Sequence, residues 1–76
     1  MRVFLLNDGG FVGLEAIKFP IEVEGKAMRT RSDGAVFAEI AGSIMVELGG
    51  EAFDITWDYS FELGSECQVL SPVGRT

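Results

Sequence analysis

Ten glycines punctuate this chain of 76 residues, and no glycine-free stretch is longer than the thirteen residues from Glu51 to Leu63. Gly9-Gly10, Gly13, Gly25, Gly34, Gly42, Gly49-Gly50, Gly64 and Gly74 mostly separate apolar runs. Regular turn signals with short apolar runs between them predict an all-β domain. The expected architecture is a small antiparallel, partly open barrel, SH3-like or OB-like, of five or six short strands. The alternative is an α+β fold with a short helix within 35–48, a stretch rich in Ala, Glu, Ile and Met. Gly42 argues against that helix, being about 1 kcal/mol worse than Ala in a helix interior. The length allows one domain, expected over 1–71, with a loose tail at 72–76.

Two stretches alternate with the period of a half-buried strand. From Phe53 to Leu63 every odd position is apolar or aromatic and every even one polar. Eleven residues exceed the usual strand of about 5–6, which predicts a bend or break near Asp58, with an irregular loop as the competing reading. From Ile17 to Glu24, Ile17, Phe19, Ile21 and Val23 share one face, with Pro20 on the other. Taking Gly25-Lys26 as a two-residue type II′ turn pairs Val23 with Met28, Ile21 with Thr30 and Glu22 with Arg29. A three-residue loop at Ser32-Asp33-Gly34, with Gly34 left-handed, keeps Met28 and Thr30 beside Val36, Ala38 and Ile40. The result is a meander over 17–24, 27–31 and 35–41, flanked by strands at 2–6, 43–48 and 66–70. Segment 11–15 is either a short strand or an irregular loop.

Twelve Asp and Glu against six Lys and Arg leave a net charge of −6. A direct nucleic-acid binder needs surplus cations to displace phosphate counterions, so that class is set aside. Five of the six cations lie in residues 1–31, which carry +1, whereas residues 32–74 hold eight acids and no cation. The absence of histidine removes imidazole catalysis and most transition-metal sites, and a single cysteine forms no internal disulfide. Cys67 has acidic neighbours, which raise a thiol pKa, so it is expected to be a buried structural residue. No calcium-loop, dinucleotide or P-loop spacing occurs. No enzyme activity, metal or cofactor is expected. Neither a signal peptide nor a membrane span is read from the apolar runs, and the expected location is cytoplasmic.

The candidate interaction surface comprises Asp54, Trp57, Asp58, Tyr59 and Glu62. Asp54, Asp58 and Glu62 would form an acidic stripe if they share the outer face of one strand. The aromatics Phe53, Trp57, Tyr59 and Phe61 read first as core, and alternatively as an exposed platform in a bent loop. The leading functional expectation is a small acidic, non-enzymatic accessory or protein-interaction module. Its partner is a protein, basic in charge, or a second copy in a homodimer. A small-ligand binder using Trp57 and Tyr59 over an acidic rim, taking a cationic or sugar ligand, is the alternative. A DNA mimic docking on a basic nucleic-acid-binding protein ranks lower, because side chains at i and i+4 of a strand stand ~13 Å apart. Glu39, Glu47 and Glu66 would have to fill those gaps from neighbouring strands.

The turn Asn7-Asp8-Gly9-Gly10-Phe11, the segment Phe19-Pro20-Ile21-Glu22-Val23 and the run from Tyr59 to Cys67 resemble small uncharacterised proteins of bacteriophages and other mobile elements. The likeness spans most of the chain and implies no activity and no functional residues.

Overall fold

Among the described residues six strands form, and they divide into two antiparallel sheets of three. In this computed structural model, residues 1–70 are described; the tail expected over 72–76 lies outside the described residues. The first sheet has the order β2-β1-β6, built from β1 (Arg2–Leu5), β2 (Ile21–Glu24) and β6 (Cys67–Leu70). The second has the order β3-β4-β5, built from β3 (Ala27–Thr30), β4 (Val36–Ala41) and β5 (Asp58–Glu62). A helix, α1 (Gly42–Gly49), and a 3-10 turn at Gly50–Ala52 lead from β4 towards β5. No helix among the described residues is long and apolar enough to cross a membrane.

Register explains the core. In the first sheet Val3 stands between Val23 and Val69, and Leu5 between Ile21 and Cys67. In the second, Ala38 stands between Met28 and Phe61, and Ile40 faces Tyr59. Side chains alternate along a strand, so these residues share the inward faces. Val3, Leu5, Val23, Ala38, Ile40, Phe61 and Cys67 join Leu14, Met45 and Phe53 in one buried cluster. Phe61 is the largest fully buried side chain. Truncating such a residue to Ala costs about 3–5 kcal/mol.

The expected hairpin between β2 and β3 does not form; the two strands lie in different sheets. A type II′ turn needs a left-handed first residue, and Gly25 is not left-handed. Its N–H donates instead to the Met1 carbonyl (2.6 Å), while the Lys26 N–H donates to Glu39 (2.8 Å). One residue thus extends the β1–β2 ladder and the next extends β3–β4. A Cβ on Gly25 would stand 2.5 Å from Cγ2 of Val3, so glycine is what lets the chain pass β1 this closely. Glu22 then pairs with Arg2 rather than with Arg29. The strand expected over 17–24 is confined to its second half, because Ile17–Pro20 make no ladder. The barrel gives way to a two-sheet arrangement: among the described residues no strand ladder joins the sheets. Only the bridge between Leu63 and Cys67 marks their second crossing.

The three-residue loop is present. Gly34 is left-handed (φ 92°), the Arg31 N–H donates to Ala35, and Met28 pairs with Ala38 and Thr30 with Val36. Segment 11–15 is irregular. The strand expected over 43–48 is a helix, as the alternative reading had it. Gly42 is its first residue, following an extended Ala41, so the penalty of an interior glycine does not arise. Left-handed Gly50 (φ 69°) ends it.

Gly42 is also fully enclosed. A Cβ there would meet the Asp54 carbonyl oxygen and stand 2.5 Å from that of Trp57. Backbone atoms cannot rotate away as a side chain would. Gly42→Ala is therefore expected to destabilise the protein by about 1–3 kcal/mol in urea unfolding, the cost of an overfilled site. No gain in helix propensity offsets that loss, because Gly42 opens the helix and is not in its interior.

Candidate functional site

The break in the Phe53–Leu63 alternation falls where length predicts it. β5 begins at Asp58, and residues 53–57 form an irregular turn. The candidate residues consequently divide between a loop and a strand. Asp54 and Trp57 lie in the loop, and Asp58, Tyr59 and Glu62 lie on β5.

Three contacts fix the loop. The Asp54 carboxylate accepts from the Thr56 N–H (2.8 Å) and from the Thr56 hydroxyl (2.5 Å), a side-chain turn favoured by Asp. The Asp54 N–H donates to the Tyr59 hydroxyl at 2.7 Å. On the far side, the carbonyls of Asp54 and Trp57 lie against Gly42 at the start of α1. The hydrogen bonds from Thr56 hold the Asp54 carboxyl below the usual aspartate range. A negative charge therefore stays beside the loop at neutral pH.

The aromatic run does not all enter the core, contrary to the first expectation. Phe53 and Phe61 are buried, and Tyr59 is half-buried. Phe11 joins them: its ring centroid stands 5.4 Å from those of Tyr59 and Phe61 and 6.3 Å from that of Phe53. Tyr59 and Phe53 meet edge to face at 5.2 Å, a favoured aromatic geometry. Trp57 sits at the rim of this cluster, 6.5 Å from Tyr59, and is 62% exposed. Ile55 in the same loop is exposed to 63%, and Val12, next to Phe11, to 81%. The exposed-platform reading therefore describes Trp57, and the core reading describes its neighbours. Neither the place of Phe11 in this cluster nor the exposure of Val12 and Ile55 was legible in the sequence. Phe11 and Val12 lie in a glycine-bracketed segment without periodicity, and Ile55 falls on the apolar side of an alternation that the loop abolishes.

The acidic stripe does not form as one strand face. Asp54 leaves it for the loop turn. Asp58 accepts two contacts from Lys26 Nζ, at 2.9 and 3.0 Å. Glu62, at the other end of β5, accepts from the Ser65 hydroxyl (2.9 Å), and its N–H donates to Glu66 (2.7 Å). The structure thus brings Asp54, Trp57 and Tyr59 together, and leaves Asp58 and Glu62 in separate local contacts. Among the described residues no group of three or more Cys, Asp or Glu is placed to hold a metal ion.

Cys67 is fully buried, and its Sγ lies 3.3 Å from the Phe61 carbonyl. Desolvation pushes its thiol pKa up, and nearby Glu66 adds to the rise. Both effects oppose thiolate chemistry.

Compared with known proteins, the chain matches no family model, no curated sequence and no solved structure.

Two measurements check this geometry. Trp57 is the chain's one tryptophan, and its fluorescence in the folded protein is expected to peak near that of free tryptophan. A blue-shifted peak would mean the ring is buried. Asp54, with a lowered folded pKa, stabilises the loop turn above the unfolded value, and that contribution fades as pH falls through the folded value. The Thr56 amide resonance is accordingly expected to hold its native shift through the ordinary aspartate range and to move only below it.

Proposed function

We propose that this protein is a small, non-enzymatic interaction module that grips a protein partner with the exposed loop that carries Ile55 and Trp57. One observation carries the reading: a large indole stands exposed on a loop that three separate contacts hold in place. Neither the core nor the loop turn requires an exposed tryptophan there. An immobilised aromatic loses little freedom on binding, and such residues dominate the energetics of interfaces. The surrounding charge defines the partner further. Asp54 remains ionised beside the indole, Glu51 and Glu47 are exposed on the segment leading to it, and residues 32–74 carry eight acids. The fitting partner presents an apolar pocket with a basic rim.

The non-catalytic part of the reading is supported by the burial of Cys67 and by the local hydrogen bonds and ion pairs that engage Asp54, Asp58 and Glu62. A second copy is a weaker candidate for the partner. The basic segment that would meet the acidic face of a neighbour has no net positive charge in place, since Lys26 pairs with Asp58, Arg29 with Glu39 and Arg31 with Asp33. A small ligand held between Trp57 and Tyr59 is a weaker candidate likewise, because the Tyr59 ring is half-buried in the aromatic cluster and its hydroxyl accepts from the Asp54 N–H.

Trp57→Ala is the direct test. Its stability is expected to stay within about 0.5 kcal/mol of the parent, as for exposed positions generally. In a pull-down from the native host, a partner retained by the parent is expected to be lost or weakened about 30-fold, a loss of ~2 kcal/mol. Equal retention by both proteins would overturn the proposal.

A further inference from the structure

The outer face of the second sheet carries a different surface, about which the alternation of the strands says something unusual. Outward positions of a two-layer sheet are ordinarily polar. On β4, the central strand, the outward residue between Arg29 of β3 and Glu62 of β5 is Phe37. It lies in the floor of an open hollow of about 230 Å³ whose other walls are Arg29, Arg31 and Ser60. The hollow exists because the position diagonal to Phe37 on β5 is a small serine.

The walls are prepared for one kind of guest. Arg31 stacks its guanidinium over the Phe37 ring at 4.9 Å, with its Nε and Nη2 engaged by Asp33 at 3.4 and 2.7 Å. Arg29 is anchored through Nε, 2.6 Å from Oε2 of the largely buried Glu39. Each arginine is thus held from one side by a carboxylate. Nη1 and Nη2 of Arg29, Nη1 of Arg31 and the hydroxyl of Ser60 have no partner among the described residues. Guanidinium donors in this arrangement match a carboxylate in two-point contact. The aromatic floor suits a flat apolar body attached to it. Arg29 and Arg31 stand beside three carboxylates, Asp33, Glu39 and Glu62, so the field around the hollow carries no surplus of positive charge. A guest's charge must be met by the free guanidinium donors directly, which opposes a doubly charged guest more than a singly charged one. We propose that this face is a binding site for a small planar monocarboxylate, its ring on Phe37 and its carboxylate between Arg29, Arg31 and Ser60. The site is separate from the Trp57 loop and does not depend on the function proposed for it.

Benzoate is a suitable probe, followed by amide NMR on the intact protein. Saturable shifts in the millimolar range are expected at Arg29, Arg31, Phe37 and Ser60, with Trp57 unmoved. Arg29→Gln and Arg31→Gln, both at well-exposed positions, are each expected to weaken binding about tenfold, the loss of a charged hydrogen bond. Phe37→Leu is expected to weaken it without disturbing the rest of the spectrum; if that variant unfolds, the two arginine variants decide. Benzyl alcohol, which lacks the charge, and acetate, which lacks the ring, are expected to bind far more weakly than benzoate. Phenyl phosphate is expected to bind no tighter. The proposal is overturned by shifts that do not saturate or that centre on Trp57. Unchanged affinity in both arginine variants, acetate binding as well as benzoate, or tighter binding of phenyl phosphate would overturn it equally.

Discussion

Neither three-stranded sheet of this protein can cover its own apolar face, and every other feature follows from their having to cover each other. Three strands bury little without a second layer. Val3 and Leu5 from the centre of one sheet, and Ala38 and Ile40 from the centre of the other, meet in a single cluster with Phe61 and Cys67. The chain must therefore change sheets twice. It does so at Gly25-Lys26, where successive N–H groups serve different sheets, and again between Glu62 and Cys67, where the turn residues bond across to both neighbouring strands. Leu14, Met45 and Phe53 close the remaining gaps, and Phe53 in turn sets the origin of the loop that displays Trp57.

The distribution of charge looks different along the chain and in space. Along the chain a slightly basic beginning precedes a long acidic remainder. In space the second sheet interleaves the two. Lys26 and Arg29 from β3 and its approach reach Asp58 on β5 and Glu39 on β4. What reads as a dipolar sequence becomes a patterned outer face, and three of the acids without a cation partner, Glu47, Glu51 and Asp54, lie exposed between α1 and the Trp57 loop. Exposed pairs of this kind add little stability, a median of about 0–1 kcal/mol. Their effect here is to hold side chains in place.

Features governed by neighbours in sequence were legible, and those governed by distant contacts were not. The three-residue loop around Gly34 followed from the requirement that Met28 share a face with Ala38. The break at Asp58 followed from strand length, and the burial of Cys67 from its acidic, histidine-free surroundings. The partner of β2 was not legible. A local hairpin would have matched Val23 with Met28 and Glu22 with Arg29 quite as well as the observed pairing with β1. What decides between them is the approach of Gly25 to Val3, across more than twenty residues of sequence. The helix was missed as first choice for a related reason. Residues 43–48 suit either state locally, and the enclosure of Gly42 by the 54–57 loop is a tertiary fact. Trp57 obeyed the alternation in sequence, but the turn made by Asp54 and Thr56 removed it from any strand.

The position of β1 between β2 and β6 governs when this protein can fold as it is made. Its inward residues, Val3 and Leu5, take one set of neighbours from residues 21–24 and the other from residues 67–70. On a ribosome the first sheet therefore stays incomplete, with the β6-facing edge of β1 open, until almost the whole described chain has left the exit tunnel. Pairings this distant in sequence form slowly. Until β6 arrives, β1 and β2 form a two-stranded ribbon with this edge of β1 open, a template for wrong pairing.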